Sequence, residues 1–200
     1  MKKSDVWIDM TPMSDVMVLL LTFFMLTSTF VKNEPVKVNQ PMSVSEIKVP
    51  EQSVLNIVVD KTGKVFMGMD NQNDMMSLIQ AMDGNYSLGL SGKEMKNFQT
   101  DALWGVKMSS LKGYLALPNE KRTQVITGAE GGIPLDSIDG GKSEFQNWVT
   151  EAMNVNSDLK IAIKADANTP YANIKKVMSE LQDMNENRYY LITSLKAQED

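Results

Sequence analysis

With no histidine and no cysteine in the sequence, any chemistry must run on carboxylates, hydroxyls, lysine, tyrosine or backbone groups. Disulfides, thiol nucleophiles, Cys/His zinc sites and His-based triads are excluded. The residue whose setting stands out is Asp15. It is the only ionisable residue between Met10 and Val31, beside a stretch that reads VMVLLLTFF from Val16 to Phe24. A carboxylate in hydrocarbon is costly, and those that occur there mark ion or proton paths. Thr11, Asp15, Thr22 and Thr29 follow one another at spacings of 4, 7 and 7. A helix returns these positions to nearly one face, and Met17, Leu20, Leu21, Phe23, Phe24 and Phe30 fill the others. An aspartate one turn inside a helix can instead snorkel to the interface or favour the positive helix end. Such a residue needs no polar neighbours deeper in the bilayer, so the aligned threonines favour a proton-carrying role for Asp15.

The element that must position these residues is a membrane helix over 11–31. About 20 residues cross the hydrocarbon core. Thr11 suits the N-cap and Pro12 the first helical position. A cleaved secretory signal fits badly, because an acidic residue opens the apolar run and Thr27-Ser28-Thr29-Phe30 offers no small-residue cleavage site. Lys2 and Lys3 favour a short inside N-terminus over 1–10, although Lys32 and Lys37 flank the other end.

The stretch Ile8-Asp9-Met10-Thr11-Pro12-Met13-Ser14-Asp15-Val16-Met17 resembles the signature of the ExbD/TolR biopolymer transport family. The signature's membrane aspartate falls on Asp15 and its Thr-Pro pair on Thr11 and Pro12; its frequent Asn is here Asp9. Val36-Lys37-Val38-Asn39-Gln40-Pro41 resembles the V-x-V-x-x-P element that follows the span in this family. Val54–Met82 and Leu159–Leu195 resemble its strand pair and helix and its closing strand, helix and strand. The chain departs from the compact family pattern over about 84–157. That insertion resembles the longer members found in the Bacteroidetes, with Gly132-Ile133-Pro134 and a helix around Trp148.

The resemblance implies a bacterial inner-membrane protein with one span and an exported, periplasmic C-terminal domain. It implies partnership with an ExbB-like polytopic ring and a TonB-like energy transducer, and a homodimer that is not an enzyme. The Tol-type branch, which supports envelope integrity, is a close variant. A reading from another class is a membrane-tethered module whose exported domain binds peptidoglycan or an envelope protein.

Beyond the span, residues 32–52 hold Pro35, Pro41 and Pro50 and read as an extended linker. Val36 and Val38 beside Pro41 suit a short edge strand able to pair with its own or a partner chain. Residues 53–196 read as a small α/β domain with helices packed on one mixed sheet, and 197–200 as a tail. Strands are expected at Val54–Asp60, Val65–Met69, Lys160–Ala165 and Tyr189–Leu195. A helix with Met75, Leu78, Ile79 and Met82 on one face follows the strand pair. Another starts at Thr169-Pro170 and carries Tyr171, Ile174, Val177, Met178, Leu181 and Met184. In the insertion, Ser109–Leu117 suits a short helix, and Ser143 with Gln146 has capping-box spacing. The insertion is expected to be a docked surface module. The many methionines are expected to fill core.

No cofactor or metal is expected. Gly141-Lys142-Ser143 resembles the end of a phosphate-binding loop, but the required first glycine is Asp136. Glu130, Asp136 and Asp139 fit no EF-hand spacing, and Asp166 reads as a turn or cap residue. A net charge of -5 without basic clusters argues against nucleic acid.

Overall fold

A computed structural model of the chain describes residues 10–27, 35–43, 53–137 and 141–195. The chain divides into two compact units, Met1–Lys32 and Asn33–Asp200.

In the first unit, helix α1 runs from Thr11 to Thr27. Its 17 residues extend about 25 Å. Among the described residues no helix is long and apolar enough to cross a membrane. Residues 28–31 of the expected span lie outside the described part. Thr11 is the first helical residue rather than the cap, because the Met10 carbonyl already accepts from the Ser14 N–H at 3.1 Å. Pro12 therefore sits in the first turn, where its missing N–H removes no helical bond. Every α1 side chain is exposed within its unit.

The second unit is built on a four-stranded sheet of order β3-β2-β4-β5. Strands β2 (Val54–Val59) and β3 (Val65–Met69) form an antiparallel hairpin. Its turn is organised by Asp60, whose Oδ1 accepts from the Thr62 N–H at 2.8 Å, the Thr62 hydroxyl at 2.7 Å and the Lys64 N–H at 2.9 Å. Gly63 takes φ +85° there, with Asn173 packed where a Cβ would stand. Strands β4 (Lys160–Ala165) and β5 (Tyr189–Ile192) continue the sheet in parallel. The register places Leu55, Ile57 and Val59 on one face with Val65, Met67, Met69, Ile161, Ile163 and Ala165, all buried. A two-residue parallel pair, β1 (Met42–Ser43) with β6 (Ser194–Leu195), stands apart from the main sheet. The expected final strand thus breaks at Thr193 into β5 and β6.

Helix α2 (Gln72–Tyr86) buries Met75, Leu78, Ile79 and Met82, the face its periodicity predicts. Asn71 caps it by accepting from the Asn73 N–H at 2.9 Å. Helix α7 (Tyr171–Asp183) buries Val177 and Leu181 and half-buries Ile174 and Met178. Tyr171 departs from the expected face and is 71% exposed, because it opens the helix ahead of the core. Met67, Met69, Met75, Met82 and Met108 are buried core residues, as expected for a side chain that fills irregular space.

The insertion corrects the surface-module expectation. It forms α3 (Gly92–Thr100), α4 (Met108–Ala116), α5 (Asn119–Thr127) and α6 (Glu144–Val155). Its large apolar residues join the same core as the sheet. Trp148, expected on a surface helix, is fully buried, as are Phe98 and Trp104. The three rings cluster with centroids 5.0 Å (Phe98–Trp104), 5.9 Å (Phe98–Trp148) and 5.6 Å (Trp104–Trp148) apart. The insertion also closes the β3 edge. Met67 and Trp104 exchange backbone bonds at 2.8 and 2.7 Å, and the Ile133 N–H donates to the Val65 carbonyl at 2.8 Å. An edge strand left open would expose those groups. Helix α2 packs against both α3 and α6, so the inserted helices share their apolar faces with the core around the sheet.

Candidate functional site

The α1 residues keep the alignment expected of them. At about 100° per residue, Thr11, Asp15 and Thr22 fall within an arc of about 40°; Thr29 lies outside the described residues. The Thr22 hydroxyl donates back to the carbonyls of Val18 and Leu19, both at 2.9 Å. This return bond spends the hydroxyl proton inside the helix and leaves the oxygen as an outward acceptor. Thr27 makes the same bond to Phe23 at 2.8 Å on the opposite side. Among the described residues the Asp15 carboxylate has no ion-pair partner. A carboxyl group with one acceptor oxygen two turns along the same face can exchange a proton with water or with a residue of a second protein.

A second constellation lies where the linker meets the domain. Residues 36–38 form no strand; the linker's short strand is β1, directly after Pro41, and it pairs within the chain. Val36 is buried in the domain core, Val38 is half-buried against it, and Lys37 between them is exposed. Proline at 35 and 41 and outward Lys37 suit an extended segment laid on a surface rather than a ladder strand. Asn39 is held by its backbone, donating to Asp166 Oδ2 at 2.9 Å and accepting from the Ala167 N–H at 2.7 Å.

Asp166, at the carboxyl end of β4, also orders its own turn. Its Oδ1 accepts from the Asn168 N–H at 2.9 Å and from Asn168 Nδ2 at 3.2 Å. The Thr169 hydroxyl donates to the Asp60 carbonyl at 2.8 Å, tying the β4–α7 turn to the β2–β3 turn. Backbone donors at Asn168 and then Asn39 hold the Asp166 carboxyl below the usual carboxylate range. Its cap reading from sequence stands, but the grip on Asn39, 127 residues away, carries no sequence signal. A cavity of about 320 Å3 lies beside these contacts, lined by Pro35, Val36, Asp60, Lys61, Phe66 and Asp166 among others.

A third group is structural. Arg122 is buried and pairs with Asp101 at 2.6 Å, while donating to the Asn97 carbonyl at 2.9 Å. The Tyr114 hydroxyl donates to Asp101 at 3.2 Å. Burial and then the Asp101 charge push the Tyr114 phenol well above the usual tyrosine range. These contacts lock α5 to α3 and α4, and sequence spacing gives no hint of them. The Gly141-Lys142-Ser143 run likewise serves structure. Ser143 Oγ accepts from the Gln146 N–H at 3.2 Å to cap α6 and donates to Glu180 on α7 at 2.7 Å.

An apolar helix that carries one carboxylate precedes a linker docked on an α/β domain, and it is this arrangement that the family comparison addresses. The model of the family described as Biopolymer transport protein ExbD/TolR matches residues 1–196. The chain belongs to that family, and with it to the energy-transduction systems of biopolymer transport. No curated protein and no solved structure matches it.

Proposed function

We propose that this chain is a proton-carrying accessory subunit that couples the proton motive force to outer-membrane transport. The apolar segment 11–31 that contains α1 spans the inner membrane with its N-terminus inside, and the unit from Asn33 onward lies in the periplasm. An ExbB-like ring surrounds the span, a TonB-like protein receives the work, and two copies act together without enzymatic activity. Transport through a TonB-like transducer, rather than Tol-type envelope maintenance, is our reading of the branch.

The observation that carries the proposal is Asp15, the single ionisable side chain of an otherwise apolar helix, set in the Thr-Pro-x-x-Asp-Val-Met run of the family. One elementary charge crossing about 100 mV gains about 2.3 kcal/mol. Protonation exchanges a charged group that needs polar partners for a neutral one that tolerates apolar contacts. Two states with different preferred neighbours are what a cyclic motion against a ring requires. Thr22 offers an acceptor on the same face.

Asp15→Asn keeps size and polarity but cannot cycle a proton. In cells carrying no second copy of the gene it should insert and assemble normally and abolish energy-dependent uptake. Thr22→Val should reduce uptake partially. Full uptake by the Asn variant at normal expression would overturn the motor reading and leave α1 a tether. Replacing α1 by a plain Leu/Ala helix makes the same distinction, since only a tether survives it.

A further inference from the structure

A cavity of about 310 Å3 opens where the 131–135 loop of the insertion meets the β2–β3 turn, α4 and α7. Three lysines from three of these elements line it: Lys64 just ahead of β3, Lys107 just ahead of α4, and Lys176 on α7. In a chain of net charge -5 this is a local reversal of sign. The ammonium of Lys64 is fixed, donating to the Gly128 carbonyl at 2.6 Å and the Ala129 carbonyl at 3.4 Å. Gly132, at φ +110°, lies so close that a Cβ there would stand 3.2 Å from the Lys64 Cβ. Carbonyl partners are neutral, so they hold the charge in place without cancelling it. Asp60, the carboxylate of the adjoining turn, spends Oδ1 on Thr62 and the Lys64 N–H.

Lys107 occupies the N-cap of α4, and its side chain caps nothing. Serine, threonine, asparagine or aspartate is favoured at that position, and a cation is disfavoured at the positive end of a helix. Buried Glu144 serves the Met108 N–H instead, at 2.8 Å. Helix stability therefore does not call for the lysine, and a residue set against local preference is where function is expected. Lys176 shows what the cavity accepts. It meets Asp136 at 2.7 Å, the two side chains being 52% and 87% exposed. The Lys176 hydrogen bond, and then its charge, hold the Asp136 carboxyl below the usual carboxylate range. A pair so exposed is weak, and its carboxylate can be exchanged for another. The remaining wall includes Ile133, Pro134 and Leu135, buried or half-buried. Such a wall suits the methylenes of a glutamate better than a hydrated inorganic ion.

We propose that this cavity binds an acidic peptide segment of a partner protein. Its carboxylates pair with Lys107 and Lys176 over the fixed charge of Lys64, and its apolar atoms lie on Ile133 and Pro134. Asp136 holds one of these places until the peptide displaces it. Lysine is a point charge without the planar fork of arginine, so the recognised feature is closely spaced acidic side chains. This gives the Gly132-Ile133-Pro134 element of the insertion a role separate from the proton path of α1.

The test titrates the full chain, in a non-ionic detergent, into fluorescein-labelled hexaglutamate and reads anisotropy. Lys107 and Lys176 are exposed, so both can be changed without disturbing the core. Lys107→Glu and Lys176→Glu should each weaken binding at least about fivefold, because charge reversal turns attraction into repulsion. Lys93→Glu on α3, exposed and outside the cavity, should change it less than about twofold, since salt screens distant charges. Asp136→Asn should tighten binding at least about twofold by freeing Lys176. Acetylation of amines, read by mass spectrometry, locates the site: hexaglutamate should protect Lys107 and Lys176 and leave Lys93 reactive. No binding, equal weakening by Lys93→Glu, or unprotected Lys107 and Lys176 would overturn the proposal. Weaker binding by Asp136→Asn would make Asp136 part of the cradle and refute displacement. Inorganic phosphate competing as well as unlabelled hexaglutamate at equal concentration would mark a small-anion site and overturn the peptide assignment.

Discussion

Trp148→Ala asks whether the inserted helices belong to the main core or rest on it. Trp148 is fully buried and stacks on Phe98 at 5.9 Å with an interplanar angle of 10°. It also meets Trp104 at 5.6 Å. Truncating a buried tryptophan costs about 3–5 kcal/mol. Two aromatic contacts, each about 0.5–1.5 kcal/mol beyond area, put this site in the upper half of that range. The Trp148 indole N–H has no hydrogen-bond partner, so none is lost on truncation. The assay is urea unfolding of the detergent-solubilised full chain, followed by far-ultraviolet circular dichroism and by exchange at the Ile57 amide on β2, a strand paired on both sides within the sheet. With a slope of about 2 kcal/mol/M, the midpoint should fall by about 2 M, equally for both probes. Trp148→Phe, which keeps a ring against Phe98, should lose less than half as much. Loss of helical signal with Ile57 still protected would mean that the insertion unfolds alone, and the shared-core reasoning would fail.

Three further outcomes follow from particular contacts. Arg122→Met strands the buried Asp101 charge and should destabilise the domain by about 3–5 kcal/mol in the same unfolding assay, with Arg122→Met/Asp101→Leu recovering much of the loss. The folded-state value of Asp166 is depressed, so its contribution is present above the ordinary aspartate value of about 4 and is lost as pH falls through the lower folded value. A fluorophore on Lys37→Cys, at an exposed linker position, should therefore report loosening of the segment around Asn39 on acidification below about pH 4, and Asp166→Asn should remove that transition. A Cβ at Gly131 would run into the Ile126 carbonyl, so Gly131→Ala should loosen the 128–135 loop and raise exchange at the Ile133 amide.

The readable parts of the sequence were those where local pattern and tertiary demand coincide. The α2 face, the β2–β3 hairpin with its Asp60 turn and the Ser143 capping box all follow from periodicity and short-range hydrogen bonding. So does the alignment of Thr11, Asp15 and Thr22, because helical geometry alone sets it. Two helices escaped the same logic. Helix α3 opens with a capping box, Ser91 accepting from the Glu94 N–H at 3.4 Å and Glu94 accepting from the Ser91 N–H at 2.7 Å. That signal was present, but only Phe98 is buried along it, so no apolar stripe announces the helix. Helix α5 begins directly after Pro118 and buries Arg122 with Ile126, and a buried arginine reads from sequence as a solvated one. The linker failed for a related reason. Val-x-Val beside prolines predicts a strand, yet strand propensity measures fit to a half-buried pleated surface. Here one valine enters a socket, and the backbone bonds that a neighbouring strand would supply come from Asp166 and Ala167 instead. A carboxylate that accepts from an amide 127 residues away leaves no trace in spacing or composition. The residues that fasten the linker are therefore the ones that only the folded chain identifies.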